Sequence, residues 1–381
     1  MQDVVVVGAG PAGTLAARML ANRNYDVLVM ENHKVPGLPQ HCTGLISEET
    51  LRMSGVKPDI FNTFHAAEFV FPNGKSIVVR SSNTKAVVVD RADLDMKMAE
   101  AAADAGARFA YSTKYSSHEV KDSVFVDTDN ATYKARMLIG ADGASSSVAL
   151  TLGENRPKEY VRGIQVDVDK EMDDQDTFKV FLGNDIAPGF FAWQIPCGDF
   201  TRIGLCTSWD AGLPSEYLSR FLIDRGLQGK VSKVYSGKIP LGGRPFLCGD
   251  RCMLAGDAAG FVKPLSGGGL YPAFKANEHL VRVLSACLDA NTLTSKDLSE
   301  YTRACNSDFL KELNHAYGFR RKFKKLSDDN FNRIYDYIMK HNLVPTLNEL
   351  DIDHPANALR KVLSNPKAIF SGIPLYMRTL R

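Results

Sequence analysis

The chain has 381 residues, a formal net charge of +2, 44% hydrophobic residues and 24% charged residues, a composition typical of a globular protein with one or two domains. The low net charge argues against a strong attraction to nucleic acid, and no apolar run approaches the roughly 20 residues that span a bilayer. The seven cysteines are odd in number and scattered, and no basic leader precedes the first apolar run, so the sequence predicts a cytoplasmic protein without disulfides or a signal peptide.

The chain starts with a strand–turn–helix–strand unit. Residues 4–7 are four consecutive valines, as in a strand that is buried on both faces of a parallel sheet. Residues 11–21 are rich in helix formers, and residues 26–30 form a second apolar run that ends at Glu31. This order predicts an α/β domain that binds a dinucleotide.

Three glycines in the first turn have separate roles in such a site. Gly8 allows the tight turn out of the strand, Gly10 lets a pyrophosphate approach the backbone, and Gly13 lets the helix pack closely on the strand. Glu31 follows Gly13 by eighteen residues, where a carboxylate accepts hydrogen bonds from a ribose diol. The glycine spacing alone is weak evidence. Because the two strands, the helix and the acid all have the order and spacing of such a site, we favour a dinucleotide site over a purely structural turn.

The rest of the chain predicts two further regions. Residues 162–238 alternate short strands with turns, which indicates an antiparallel sheet inserted into the first domain. Beyond residue 269 the sequence is mainly helical. The predicted domains are a dinucleotide-binding domain at 1–160 and 240–290, a substrate domain at 161–239 and a helical C-terminal region at 291–381. The predicted strands of the first region are 68–71, 77–80, 86–89, 109–112, 115–120, 123–128 and 137–141, and the predicted C-terminal helices are 271–288, 295–325 and 330–341.

Two later strands each run into a glycine turn that carries an acid, Asp142 in the first and Asp257 in the second. Asp257 is suited to accept a hydrogen bond from the ribityl chain of a flavin. Three glycines then precede a long helix: Gly267, Gly268 and Gly269. Their N–H groups and the helix dipole suit the flavin N1–C2=O edge, which gains negative charge on reduction. Each feature alone fits an ordinary turn, but their order along the chain favours a flavin site. Cys248 and Cys252 have no second cysteine pair nearby, so no metal site is predicted.

In the order GAGPAG, VDR, IGADG and AGDAAGFVKPLSGGG, the chain resembles FAD-dependent oxidoreductases of the para-hydroxybenzoate hydroxylase superfamily. Within that superfamily, the segments CTGLIS at residues 42–47 and AGDAAGFVKPLSGGGL are most similar to the geranylgeranyl reductase family. The resemblance covers about residues 1–290. It implies an α/β fold with a Rossmann-type FAD-binding domain, an inserted antiparallel-sheet substrate domain and a helical C-terminal region.

The resemblance also implies which residues contact FAD. Besides the first three glycines, the residues expected on the adenosine and pyrophosphate side are Ala12, Glu31, Arg91 and, through its main chain, Tyr115. The residues expected along the flavin ring and the ribityl chain are Cys42, Thr43, Leu45, Asp257, Gly267, Gly268, Gly269 and Leu270.

The strand expected to line the substrate departs from the family pattern. It usually reads Y-x-W-x-F-P-K-x-G, whereas residues 191–199 read FAWQIPCGD. Phe191, Trp193 and Ile195 are the residues expected to contact substrate, and only Trp193 among them matches the pattern. The C-terminal end also looks shorter than in many members. The length and head group of the substrate therefore stay open.

The function implied by the resemblance is an FAD-dependent reductase that saturates isolated C=C bonds in the prenyl chains of isoprenoid lipids or quinones. Because no carbonyl activates such an alkene, the reaction needs alignment with flavin N5, a dry apolar slot and a proton donor. Cys42 is the candidate catalytic residue, as proton donor or relay. Its alternative role is a small buried residue beside the cofactor.

Two other functions stay open on this fold. One is an oxygen-using hydroxylase, monooxygenase or halogenase, which would consume oxygen and release peroxide. The other is an electron-transfer flavoprotein, which would bind a partner with an iron–sulfur cluster. The sequence has no second strand-linked G-x-G-x-x-G, so no permanent nicotinamide site is indicated. The electron donor is therefore open among a ferredoxin, a nicotinamide and a deazaflavin.

A basic cluster lies near the C-terminal end, and its members are Arg320, Arg321, Lys322, Lys324 and Lys325. The apolar residues that can share one helix face beside it are Phe309, Leu313, Ala316, Phe323 and Leu326. Three arrangements fit this pattern. The helix can lie on an anionic surface at the inner membrane face, dock on the flavin domain with its charges in water, or bind an acidic ferredoxin.

Overall fold

The structure is a computed structural model that describes residues 1–354, and the strands of this part of the chain form three sheets. In chain order the strands are β1 (Gln2–Val7), β2 (Val27–Met30), β3 (Leu45–Ile46), β4 (Ile60–Phe64), β5 (Ala66–Val70), β6 (Ser76–Arg80), β7 (Ala86–Val89), β8 (Arg108–Ala110), β9 (Tyr115–Val120), β10 (Val124–Thr128), β11 (Thr132–Gly140), β12 (Glu159–Val168), β13 (Thr177–Phe181), β14 (Ala192–Pro196), β15 (Thr201–Ser208), β16 (Val231–Leu241), β17 (Cys248–Gly249) and β18 (Cys252–Leu254).

The α-helices are α1 (Pro11–Ala21), α2 (Glu48–Ser54), α3 (Arg91–Asp104), α4 (Ser147–Leu150), α5 (Pro214–Asp224), α6 (Leu270–Ala290), α7 (Ser295–Cys305), α8 (Lys311–Phe323), α9 (Asp328–Lys340) and α10 (Val344–Leu347). Helix α6 begins directly after the three glycines, as predicted. The single helix predicted over 295–325 is interrupted, because a π-helical turn at Asn306–Leu310 separates α7 from α8. Between Met1 and His354, no helix combines the length and the apolar character that crossing a membrane requires.

The larger sheet is the core of the first domain. Strands β18, β11, β1, β2 and β8 are neighbours in this order and run parallel, and β9 and β10 extend the sheet from β11. Val4, Val5 and Val6 are fully buried, which confirms the prediction of a strand covered on both faces. Because parallel strands end at the same edge, the turns after β1, β2, β11 and β18 come together there.

The second sheet has the order β16-β12-β15-β14-β13-β5-β6. Five of these strands come from the predicted inserted segment and pair antiparallel with one another. The hairpin of β5 and β6, predicted from residues 68–80, joins the same sheet through a parallel pairing of β5 with β13. The second sheet therefore extends beyond the predicted 161–239 segment. Sequence periodicity predicted the hairpin but carries no information about which sheet it joins.

A third sheet of β3, β7 and β4 supports the loop that contains Cys42. Gly44 lies at the end of that loop with a φ of +82°, and a Cβ at this position would collide with the carbonyl oxygen of Val89. The Val89 N–H donates to Gly44 O at 3.0 Å, so the loop is tied to β7. Ser47 then caps α2 through Thr50 N–H. The cap thus fixes the point at which the loop ends and α2 begins.

The helix with the basic cluster is docked on the protein, which is one of the three arrangements that its sequence pattern allows. Phe309, Ala316 and Leu326 are 5%, 4% and 8% exposed, because their face packs against the body of the protein. Arg320 is 1% exposed and pairs with Glu159 at 3.0 Å. Alternation of charged and apolar residues cannot tell a helix docked on a protein from one that lies on a lipid surface, since both need one apolar face.

Candidate functional site

The turn between β1 and α1 is closely packed except at its middle glycine. A Cβ at Gly8 would collide with Ala141 O, and a Cβ at Gly13 would collide with Gly8 O. A Cβ at Gly10 meets no atom within 4 Å. Gly8 and Gly13 are therefore required by the fold, whereas the absence of a side chain at Gly10 keeps space open in front of the helix N-terminus. This is the arrangement predicted for a pyrophosphate site.

Glu31 is fixed at the end of β2, beside this turn. The Ala9 N–H donates to Glu31 Oε2 at 2.8 Å, and the His33 N–H donates to Glu31 Oε1 at 2.9 Å. The His33 ring also contacts Oε1 through Nδ1 at 2.6 Å. The carboxylate is 12% exposed, so it is held in one orientation while it can still accept hydrogen bonds. A ribose diol next to the glycine turn is the ligand that this geometry suits.

The acid after β18 lies against the glycines that precede α6. A Cβ at Gly269 would come within 2.8 Å of Asp257 Oδ1, and a Cβ at Gly256 would come within 2.7 Å of Ala12 Cβ. Burial raises the pKa of Asp257 to about 6, although Arg91 and Arg244 oppose this shift. Within residues 1–354, no donor forms a hydrogen bond to this carboxylate. Asp257 is half-buried, so its carboxylate can accept a hydrogen bond from a hydroxyl group of a bound ligand.

The glycines at 267–269 form the segment that we call the glycine loop. Gly267 has a φ of +77°, a value that disfavours other residues. A Cβ at Gly267 would lie 3.3 Å from Ile239 Cδ1 and 3.5 Å from Phe190 Cζ, so the loop abuts the second sheet. Leu270 starts α6 and packs with Leu15 and Phe274. The loop thus brings bare backbone to the boundary between the two larger sheets.

Arg91 lies beside Cys42 and pairs with Asp95 of the next helical turn. Its Nε and Nη2 donate to Asp95 Oδ1 at 3.1 and 2.9 Å. Although burial opposes its charge, the carboxylate of Asp95 and the side chain of Cys42 together raise the pKa of Arg91 above its usual range. The cation predicted for the phosphate side therefore also faces the candidate catalytic thiol.

The second sheet holds the main chain of Cys42 and Thr43. Thr43 Oγ1 donates to Gln165 Oε1 at 2.9 Å, and Gln165 Nε2 donates to Cys42 O at 3.3 Å. Arg202 Nη1 donates to Thr43 O at 2.6 Å. These contacts span more than 120 residues of sequence, so the structure brings the predicted loop residues together with two residues that the sequence analysis missed. Leu45 follows the loop in β3, paired with Val88.

Arg202 belongs to a buried polar group on that sheet. Its Nε and Nη2 donate to Asp167 Oδ1 and Oδ2 at 2.8 and 2.9 Å, and Tyr235 OH donates to Asp167 Oδ2 at 2.9 Å. Burial opposes the charge of Arg202, but Asp167 raises its pKa above the usual range. A signal was present in the sequence, because one acid and one base lie in two of the segments predicted to form the antiparallel sheet. The ion pair between Asp167 and Arg202 could not be predicted without knowledge of the strand register.

Aromatic residues of the second sheet form a wall opposite the glycine loop. Phe190 and Phe191 stack with ring centroids 4.5 Å apart, and Phe191 meets Trp193 edge-on at 6.1 Å. The Trp193 ring lies over Gly204, where a Cβ would come within 2.6 Å of Cζ2. Ile195 is 1% exposed among Phe64 and Phe178, so it supports the wall from below. Phe191 and Trp193 are half-buried and remain the predicted substrate contacts.

Tyr115 lies at the start of β9, away from the other predicted residues. Its side chain is 8% exposed and its OH pairs with His118 Nδ1 at 2.8 Å. Burial raises its pKa, so the phenol stays protonated. Its main-chain contact with adenine stays a prediction.

Three comparisons with known proteins identify a family, similar sequences and a similar fold. The FAD binding domain family matches residues 1–217. Digeranylgeranylglycerophospholipid reductase 1 of Methanothermobacter thermautotrophicus is 31% identical over 355 residues, which cover 87% of this chain and 89% of that protein. The corresponding reductase of Methanoculleus marisnigri is 29% identical and covers 90% and 91% of the two chains.

Among solved structures, a geranylgeranyl bacteriochlorophyll reductase-like protein from Thermoplasma acidophilum has the same fold. Its TM-score is 0.86 at 23% identity, and the match covers 100% of this chain and 99% of that one. The halogenase PltM, solved with FAD, has a TM-score of 0.71 at 17% identity and covers 95% and 85%. At these identities the two structures show the fold alone.

The residues of this chain fit an FAD. The open space at Gly10, the fixed carboxylate of Glu31 and the half-buried carboxylate of Asp257 lie where the parallel strands end. Each satisfies one part of an extended ligand that carries a pyrophosphate, a ribose and a polyhydroxylated chain. FAD is the cofactor of the family, and these features are what it requires.

Proposed function

The chain belongs to the geranylgeranyl reductase family of FAD-binding proteins, and from this premise we propose that it reduces isolated C=C bonds in the prenyl chains of an isoprenoid lipid or quinone. The digeranylgeranylglycerophospholipid reductases at 27–31% identity support a glycerophospholipid substrate that carries such chains. The feature of the site that best supports this proposal is its apolar wall, in which Phe190 lies next to Gly267 of the glycine loop.

Saturation of an alkene adds a hydride to one carbon and a proton to the other. When bound, FAD supplies the hydride in its reduced form. The chain itself has to bind the prenyl segment, exclude water and hold a proton donor. Phe191 and Trp193, backed by the buried Phe190, provide the apolar surface for the first two tasks.

The third task falls to Cys42 in this proposal. The thiol gives up its proton to the alkene carbon, and the guanidinium of Arg91 stabilises the thiolate that remains. Gln165 and Arg202 hold the main chain at the carbonyl oxygens of Cys42 and Thr43. Cys42 is therefore positioned by the second sheet, although it lies within the predicted FAD-binding domain.

The test is an anaerobic incubation of the reduced protein with an extracted prenyl-lipid pool, followed by mass spectrometry. We expect lipids that gain two hydrogen atoms for each bond reduced. Products that gain oxygen or a halogen in the presence of air, with no product in its absence, would replace this proposal by the hydroxylase or halogenase function. The halogenase neighbours share the fold only, so they give no support of their own to that alternative.

Two parts of the proposal concern partners. The electron donor is a ferredoxin, a nicotinamide or a deazaflavin, and reduction of the flavin by each in turn distinguishes them. A lipid substrate also requires access to a membrane surface, for which the exposed cations Arg321 and Lys325 are the candidates in the basic cluster. Changing both to Gln is expected to weaken sedimentation with anionic liposomes at low salt. Wild-type protein that stays in the supernatant would end this part of the proposal.

A further inference from the structure

A buried lysine that the proposed function does not use is hydrogen-bonded to the glycine loop. Lys263 is 6% exposed. Its N–H donates to Gly268 O at 3.0 Å, and its carbonyl oxygen accepts from Gly267 N–H at 2.9 Å, so the lysine closes the loop. A Cβ at Gly268 would lie 2.8 Å from Lys263 Cε and 3.2 Å from Nζ. The ammonium group therefore lies directly against the glycine backbone.

The charge of this lysine is neutralised by a segment from the far end of the described chain. Lys263 Nζ donates to Asp353 Oδ1 and to Ile352 O, both at 2.8 Å. The two charged side chains are 8% and 5% exposed, so solvent screens their charges little.

The same carboxylate also reaches the helix that follows the Cys42 loop. Asp353 accepts hydrogen bonds from Ser47 Oγ, the N-cap of α2, and from Thr50 Oγ1 at 3.3 Å. One side chain thus contacts the glycine loop and the start of α2. If this segment were only a structural anchor, neutral hydrogen bonds would be sufficient. A buried ion pair has a desolvation cost that neutral hydrogen bonds avoid, so the charge itself calls for an explanation.

We propose that Asp353 is a positioning residue whose charge, by neutralising Lys263, sets the reduction potential of the flavin at the glycine loop. This inference rests on the proposed FAD site. A flavin gains negative charge on reduction, so a cation without its counter-ion at the loop stabilises the reduced form. With Asp353 in place the pair has no net charge, so the reduced flavin is stabilised less than it would be by Lys263 alone. The position of Asp353 thereby controls the reduction potential of the flavin.

The test compares the midpoint potential and the sulfite dissociation constant of the bound flavin in wild-type protein and variants. Asp353→Asn leaves Lys263 unpaired, and we expect a higher potential and sulfite binding tighter on the order of tenfold. Asp353→Ser is the second single variant, because the smaller side chain leaves room for water if Asn is not tolerated. Lys263→Met/Asp353→Asn restores a neutral site, and its potential is expected to return to the wild-type value.

The matched control is Asp351→Asn. It makes the same chemical change two residues away at an exposed position, and the Asn oxygen can still accept from Asp353 N–H. Wild-type protein without FAD would overturn the proposed function and this inference together. If the wild-type protein binds FAD but both Asp353 variants have the same midpoint potential as the wild type, the inference is overturned and the proposed function is not. An equal shift in the double variant would also overturn it, since the charge of Lys263 would then not be the cause.

Discussion

The cleft has two sides that are built in different ways. On the cofactor side, which we define as the glycine turn, Glu31, Asp257 and the glycine loop, backbone approaches the ligand and glycines keep the space open. On the substrate side, defined as Gln165, Arg202, Asp167 and the aromatic wall, side chains from strands distant in sequence support one another. Local chain geometry thus forms the predicted cofactor side, whereas long-range packing forms the predicted substrate side.

The first prediction tests the cofactor side with Gly10→Val. Because a Cβ at this position meets nothing within 4 Å, the variant is expected to fold normally while its side chain fills the pyrophosphate space. We expect colourless or nearly colourless protein, measured as the ratio of flavin to protein absorbance. The control is Gly318→Ala in α8, which also introduces a Cβ into open space and is expected to keep its FAD. Full FAD occupancy in Gly10→Val would contradict the assignment of the turn.

The second prediction tests the substrate side with Arg202→Met. The change leaves the carboxylate of Asp167 buried without its cationic partner and frees Thr43 O, so we expect a loss of roughly 3–5 kcal/mol in the free energy of unfolding. The control is Arg108→Met, which removes an exposed ion pair with Asp26 and is expected to cost less than about 1 kcal/mol. Denaturant unfolding of both variants measures the difference. Equal losses would mean that the buried group does not anchor the Cys42 loop.

The third prediction separates the two sides at their point of contact. Cys42→Ala is expected to leave the spectrum of the bound flavin nearly intact and to slow alkene saturation by roughly 10²-fold, the usual scale for loss of a general acid. Cys206→Ala is the matched control, because this thiol is fully buried on the second sheet and burial raises its pKa to about 12. Unchanged turnover in Cys42→Ala would reduce Cys42 to a packing residue.

The fourth prediction concerns pH and the cofactor side alone. Burial raises the pKa of Asp257 to about 6 in the protein without ligand, against the pull of Arg91 and Arg244. A hydrogen bond donated by a hydroxyl group of FAD would stabilise the carboxylate, so FAD binding favours the deprotonated form of Asp257. FAD affinity is therefore full above about pH 6 and is expected to fall by up to about tenfold per pH unit below it. Asp257→Asn should flatten this dependence, which titration of FAD at several pH values measures.

The same pKa shift predicts the pH dependence of stability in the protein without FAD. The unfolded chain loses the proton of Asp257 near its ordinary value of 3.8, while the folded protein holds it up to about pH 6. Between these values the folded state binds more protons, so its stability rises as pH falls from about 6 towards 4. Asp257→Asn should remove that contribution.

The contrast between the two sides also explains what the sequence could predict. The glycine turn, Glu31 and Asp257 each occupy fixed positions relative to a strand end, so their spacing predicted where they lie. Gln165 and Arg202 were missed because their contact with the Cys42 loop depends on the pairing of β12 with β15 and on how two sheets meet. Arg320 was taken for a surface charge because a basic run does not reveal that one member is buried against Glu159.

The most direct test of the central claim is a single turnover without oxygen. Flavin in the wild-type protein is reduced stoichiometrically and mixed with a geranylgeranyl lipid, and the return of the oxidised flavin spectrum is compared with the number of double bonds lost by mass spectrometry. The account predicts one double bond saturated for each flavin oxidised. Flavin that stays reduced until oxygen is admitted, with the lipid unchanged or oxygenated, would contradict it.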